Sequence, residues 1–256
     1  MFHDEYVRMV PGADTAVLFL HGIVGTPRHF DSRLPLVEMV PENWSVYSLL
    51  LPGHGGSVDA FSAFNMDDWK KYVWKTFDRL ASTHQKVILV GHSMGTLFSI
   101  QLAIEKGDRI PFLFLIAVPI CPQVGMEAVK HSVGIIYPNL HGDPKIHRAM
   151  NAASGVQPTK KLWKYIPWIP NFWDLLGEAR KTKNLLPQLH TKTIVFQSKD
   201  DELVSRRSER YLSECQSVEL SVLADSTHFY YTGAEIRMVQ QAFMKACNEV
   251  KNEQIY

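Results

Sequence analysis

The sequence predicts an α/β protein: a mostly parallel, doubly wound sheet carrying an inserted helical segment. Three observations lead there. Short aliphatic runs, nearly unbroken in Val, Ile, Leu and Phe, recur along the 256 residues, as strands buried on both faces of a parallel sheet do. Helical patterns separate them, and alternating strand and helix is the signature of a parallel sheet. From Pro119 to about Pro187 the alternation stops, and several prolines and three tryptophans appear instead.

The strand candidates are "TAVLFL" (15–20), "WSVYSLLL" (44–51), "KVILVG" (86–91), "PFLFLIAV" (111–118) and "KTIVFQS" (192–198). "VELSVL" (218–223) alternates more and is expected near an edge. A helix is expected over 67–81, where Trp69, Tyr72, Val73, Phe77 and Leu80 fall at spacings of three and four. Asp67 and Asp68 stand at its start, where carboxylates favour the positive end of the helix dipole. Gly95–Lys106 and Ala234–Val250 are two further helices. A long interruption inside a compact domain is better read as an insertion with its own helices than as loop. Following a strand's C-terminal end, it would cover the crevice where doubly wound sheets bind ligands. The expected organisation is a core of residues 1–118 and 188–256 with a helical cap, or lid, over 119–187. The terminal "KNEQIY" reads as a frayed tail.

Bulk properties narrow the class. Lys and Arg number 27 against 26 Asp and Glu, which argues against a nucleic-acid binder held by a broad positive field. Cys121, Cys215 and Cys247 are odd in number, far apart and without a CxxC pair, as expected of reduced, mostly buried thiols in a cytoplasmic protein. "MFHDEYVRMV" has acidic residues where a signal peptide carries basic ones. No uncharged apolar stretch approaches the roughly 20 residues that cross a bilayer.

The chemistry centres on "LVGHSMGTL" (89–97). Ser93 follows a buried strand and opens a helix expected to be amphipathic, the setting of a GxSxG elbow. A bulky residue in place of Gly91 or Gly95 would collide across so tight a turn. The helix N-terminus points free amides at the serine, making Met94 N–H an oxyanion donor. A serine needs a base, and the base an orienting acid; in such folds both follow at the ends of later strands, acid before histidine. His228, in "LADSTHFYY", stands after the sixth strand and before the last helix. "FQSKDDELV" offers Asp200 and Asp201. Asp201 is favoured because "ELV" resembles the small turn that trails the acid, leaving Asp200 solvated or capping the next helix. In "HGIVGTP" (21–27), Ile23 N–H is the natural second oxyanion donor, and His21 is expected to hydrogen-bond the loop.

Taken together, "FLHGIVGTP", "LLPGHGGS", "VGHSMGTL", "SKDDELV" and "DSTHFYY" resemble, in content and order, the α/β-hydrolase superfamily, and within it the bacterial carboxylesterase and monoacylglycerol-lipase group. The resemblance runs from about residue 15 to 250 apart from the insertion. It implies an α/β-hydrolase fold, Ser93 as nucleophile with Asp201 and His228 as partners, and Ile23 and Met94 as oxyanion donors. "FQSKDD" departs from the pattern, lacking the glycine that commonly stands near the strand end.

Other motifs read as structural. "LLPGHGGS" (50–57) is no P-loop, since no lysine follows; it is expected to shape the floor of the site, with His54 structural. "HGDPKIH" (141–147) lacks the further ligands zinc would need, so neither metal nor cofactor is expected. Trp163, Trp168 and Trp173 lie among Lys160, Lys161, Lys164, Arg180, Lys181 and Lys183. They are expected to pack the insertion onto the core and line an acyl pocket, because Pro167 and Pro170 interrupt any single amphipathic helix; transient lipid contact stays open. The resulting expectation is hydrolysis of a small-molecule ester, short- to medium-chain or a monoacylglycerol, through an acyl-enzyme. Activity should fall below neutral pH as His228, ordinarily near 6.5, protonates. C–C bond, thioester or amide hydrolysis and acyl transfer would use the same residues. A non-catalytic ligand-binding protein is the alternative of another class.

Overall fold

The computed structural model describes residues 4–123 and 143–252. Seven strands form one sheet: β1 (Tyr6–Arg8), β2 (Thr15–Leu20), β3 (Ser45–Ser48), β4 (Lys86–His92), β5 (Leu113–Ile116), β6 (Thr193–Ser198) and β7 (Val218–Leu223). Their order is β1-β3-β2-β4-β5-β6-β7. Every neighbouring pair is parallel except β1 with β3. The expected strands are present, with 44–51 and 111–118 trimmed to four residues each. β1 was not anticipated: three half-exposed residues carry no periodicity, and only pairing with β3 makes them a strand.

The unbroken apolar runs follow from burial on both faces. In β2, Ala16, Leu18 and Leu20 join one core cluster while Val17 and Phe19 join the other, because successive side chains point to opposite faces. The helices are α1 (Val58–Ser62), α2 (Met66–Ala81), α3 (Met94–Lys106), α4 (Pro144–Ala153), α5 (Ile169–Leu185), α6 (Arg207–Ser213) and α7 (Gly233–Asn252). Helices α2 and α3 cover the first cluster through Trp69, Phe77 and Leu97. Helix α7 covers the second through Val239, Phe243 and Cys247. Asp68 does more than face the dipole of α2: its carboxylate accepts from Asn65 N–H at 3.1 Å while Asn65 Oδ1 accepts from Asp68 N–H at 3.1 Å, a reciprocal cap.

Two expectations need correcting. Helix α3 is not amphipathic, because every residue from Met94 to Ala103 is buried. Its side away from the sheet is covered by α5, where Gln101 Nε2 donates to Glu178 (2.7 Å) and Thr182 Oγ1 (2.8 Å). A helix enclosed all round loses the polar stripe. Of the three free thiols, only Cys247 is buried; Cys121 and Cys215 are half-buried. Among the described residues no helix is long and apolar enough to cross a membrane.

The expected cap lies partly outside the described residues, which omit 124–142. Its remainder comprises α4, a 3-10 turn at Leu162–Trp168 that contains Pro167, and α5 with Pro170 in its first turn. Backbone bonds fasten this segment to the core: Gly155 N–H to Val24 O (2.7 Å), Gly55 N–H to Gly155 O (2.5 Å) and Gln157 N–H to Gly56 O (2.9 Å). "LPGHGGS" is thus a seat for the segment. At the C-terminus, Lys251 and Asn252 close α7 and the remaining four residues lie outside the description.

Candidate active site

Strand β4 ends at His92 and α3 begins at Met94, so Ser93 alone makes the corner. Its φ of 52° with ψ of −123° is a conformation that costs a non-glycine residue roughly 1–3 kcal/mol. Ser93 N–H donates to Ile116 O at 3.0 Å, and its hydroxyl makes no helix-cap bond. The flanking glycines are set by contact: a Cβ on Gly95 would stand 2.1 Å from Leu20 O, and one on Gly91 2.9 Å from Thr96 N. Across the site, a Cβ on Gly22 would be 2.8 Å from Ser93 Cβ. The loop after β2 therefore lies directly against the serine. Val24 (φ 57°) and Ala117 (φ 56°) share the left-handed region. All three strained residues follow neighbouring strands, β2, β4 and β5, where a doubly wound sheet binds ligands.

His228 is buried and fixed from every side. Its Nδ1–H donates to Asp201 Oδ2 at 2.8 Å, with Oδ1 at 3.0 Å. Its backbone N–H donates to Glu202 Oε2 (3.1 Å), and its carbonyl accepts from Tyr231 OH (3.0 Å) and His92 Nε2–H (3.1 Å). The buried Glu235 carboxylate ties the same loop, accepting from Asp225 N–H (2.9 Å), Thr232 Oγ1 (2.9 Å) and Ser226 Oγ. Asp201 is buried, and its Oδ1 accepts from Leu203 and Val204 N–H, each at 2.8 Å, so residues 202–204 turn around this carboxylate. Asp200 is exposed, and α6 begins too far on for it to serve as cap. Burial alone would lower the His228 pKa. The Asp201 charge and hydrogen bond, with the Glu202 charge, outweigh it and hold the group above the ordinary 6.5.

Two cavities meet here, sharing Ile23, Ala153, Leu203 and Phe229 in their walls. The smaller, about 30 Å³, contains Ser93, His228, His21, His29 and His92. The larger, about 390 Å³, is apolar and lined by Val24, Met150, Val156, Tyr165, Trp168 and Phe172 among others. No hydrogen bond among the described residues joins Ser93 Oγ to the His228 ring; such bonds often tighten only in the substrate complex. Ile23 belongs to both walls, and Met94 is buried beside Ser93. His21 does brace its loop: Nδ1–H donates to Gly22 O at 2.8 Å and Nε2 accepts from Leu51 N–H at 3.1 Å, fixing a neutral ring. Burial holds its pKa down to about 4. His54 is buried between His21, Phe61 and Trp69.

The tryptophan expectation requires correction at two positions. Trp168 lines the larger cavity, its indole N–H donating to Ser62 Oγ at 3.0 Å. Trp163 and Trp173 are 64% and 67% exposed and line neither cavity. The polar cluster of Lys70, Gln101, Glu178 and Thr182 fixes which face of α5 turns inward, so Trp173 and Leu176 are left outward, while Ile169 and Phe172 line the larger cavity and stay partly exposed. In "HGDPKIH", His141 lies outside the described residues, and Asp143 caps α4 by accepting from Lys145 N–H at 2.7 Å. Among the described residues no group of three potential metal ligands occurs. Glu202, Tyr231, Glu235, His92 and His29 were not singled out from sequence; Glu202, Tyr231 and His92 stand inside the quoted motifs, but their partners are seen only in the fold.

A model of the alpha/beta hydrolase family matches residues 17–235, and the chain belongs to that family. It is similar in structure to a protein described with LipS and LipT, two metagenome-derived lipolytic enzymes (19% identity, 95% of this chain and 97% of that one, TM-score 0.70). A monoacylglycerol lipase of Paleococcus ferrophilus is likewise similar (15% identity, 96% and 100% covered, TM-score 0.65). At these identities the likeness is one of fold. A dihydrolipoyllysine-residue acetyltransferase component of an acetoin cleaving system, from Cupriavidus necator, is 31% identical over 113 residues. That match covers 44% of this chain and 29% of the relative's length.

Proposed function

We propose that this protein is a serine carboxylic-ester hydrolase for short- to medium-chain acyl esters or monoacylglycerols, working through an acyl-enzyme. The observation that carries the reading is that His228, which shares a cavity wall with strained Ser93, is paired behind that wall with buried Asp201. In the first step His228 takes the Ser93 proton as Oγ attacks the ester carbonyl, while Asp201 orients the ring and stabilises the imidazolium. Ile23 and Met94 N–H hold the oxyanion. The alcohol departs with the proton from His228, and water then repeats the sequence to free the acid.

The apolar cavity of about 390 Å³ suits an acyl chain or apolar alcohol, and the segment above it acts as a cap. Its outer face, with Trp163, Ile166 and Trp173 more than half exposed and Lys160 and Lys161 nearby, suits transient contact with a lipid surface that carries the substrate. Free cysteines fit a cytoplasmic location. A second reading, acyl transfer to an acceptor other than water, draws on the partial match to an acetyltransferase component.

A panel of p-nitrophenyl esters of rising acyl length, with a monoglyceride beside them, tests the proposal. Turnover that peaks at an intermediate chain and is lost in Ser93→Ala supports it. Absence of turnover on every ester, or product only when an added alcohol or thiol acceptor is present, overturns it.

A further inference from the structure

The four histidines lining the small cavity differ in what their rings already do. His21 uses both nitrogens, His228 gives Nδ1 to Asp201, and His92 gives Nε2 to the His228 carbonyl. His29 is 2% exposed, and neither of its ring nitrogens has a partner. Leaving a buried polar group unpaired costs about 1–3 kcal/mol, so a ring with two such atoms in a cavity wall points to a ligand. The ring is also held in place. It stacks on His92 at 3.7 Å between centroids, Tyr231 meets it edge-on at 5.9 Å, and it opens a π-type turn, His29–Arg33. His92 in turn lies 4.8 Å from His228.

The ligand must be small. The cavity of about 30 Å³ has room for about one water molecule, and the acyl-sized space is next door. We propose that His29 is a positioning residue that holds the water which hydrolyses the acyl-enzyme; this rests on the esterase reading above. Burial, aided by the charges of His228, His21 and Arg33, holds the His29 pKa down to about 3. The ring is therefore neutral, with one N–H to donate and one nitrogen to accept, and can fix a water's orientation without competing for its proton. In the step itself, the water oxygen bonds to the acyl carbon and His228 takes a water proton. The bond from that carbon to Ser93 Oγ then breaks, and His228 returns the proton to Oγ.

The test separates the two half-reactions. With p-nitrophenyl butyrate, stopped-flow release of p-nitrophenol gives acylation as a burst and deacylation as the steady rate. His29→Leu is expected to acylate within about twofold of the parent and to deacylate about tenfold or more slowly, the scale of one lost hydrogen bond. His29→Gln, which can donate and accept, should recover part of the loss. Equal slowing of both half-reactions, an unchanged deacylation rate, or no recovery in His29→Gln would overturn the proposal, as would failure of both variants to fold, since His29 would then be a packing residue. Fluorophosphonate labelling of the parent tells the two readings apart: a parent that neither labels nor turns over fails as an esterase and takes this proposal with it. A parent that does both, while His29→Leu deacylates normally, loses only the role of His29.

Discussion

The two cavities are built from different parts of the chain and on different principles. Loops that follow the strands make most of the small one, and much of its polar surface is fixed by neighbours: His228 by Asp201, Glu202, Tyr231 and His92, and its partner Asp201 by two backbone amides, while the His29 ring nitrogens have no partner among the described residues. The large one takes much of its lining from residues 150–172, whose cavity face is apolar and whose outer face leaves Trp163 in solvent. On the proposed function, reaction type is set where the sheet imposes geometry, and substrate choice where a separate segment lies over it. Changes in the first wall should therefore abolish turnover for every ester, and changes in the second should reorder esters without abolishing any.

The largest effect tests the first half of that contrast. Ser93→Ala should lower kcat by about 10⁵–10⁶-fold, and Asp201→Asn by about 10⁴-fold, on all esters alike. Asp200→Asn, at an exposed carboxylate, should stay within about twofold. Loss of activity in Asp200→Asn with survival of Asp201→Asn would reassign the acid. Next, Trp168→Leu should cut kcat/KM about tenfold on the best long-chain ester and far less on an acetate, read from the chain-length panel. A uniform fall across the panel would place Trp168 with the chemistry instead. Trp163→Ala with Trp173→Ala should leave hydrolysis of a dissolved acetate unchanged and weaken co-sedimentation with phosphatidylglycerol vesicles. Equal sedimentation would remove the lipid-contact role.

The smallest effect concerns pH. On the proposed mechanism His228 must be neutral to accept the serine proton, and its pKa is held above 6.5, so the acidic limb of kcat/KM should have its midpoint above 6.5, higher than the ordinary value expected from sequence. Glu202→Gln removes a negative charge beside the ring while keeping an acceptor for His228 N–H. The imidazolium loses support, and the midpoint should move to lower pH by a few tenths of a unit. A limb that moves upward, or stays in place, would deny Glu202 this influence.

What the sequence made legible has a common cause. The parallel strands were readable because burial on both faces leaves continuous apolar runs, as in β2 and β4. Ser93 and its glycines were readable because the close approach of Leu20 O excludes any side chain at Gly95. The amphipathic reading of α3 failed because α5 covers its outer side, a contact between residues about eighty apart. Trp173 misled for a similar reason: a large apolar ring suggests a core, yet the polar cluster around Glu178 decides how α5 is turned; Trp163 stands exposed in the preceding 3-10 turn. Glu202 was legible only as part of the turn after Asp201 and His29 not at all, because their surroundings come from loops 26 and 63 residues away, at His228 and His92.

The most direct test of the central claim is the mass of the intact protein after exposure to a fluorophosphonate, followed by mapping of the adduct. The expected result is one adduct per chain, on Ser93, absent from Ser93→Ala and formed much more slowly in His228→Ala. An unmodified parent, or an adduct that persists in Ser93→Ala, would contradict it.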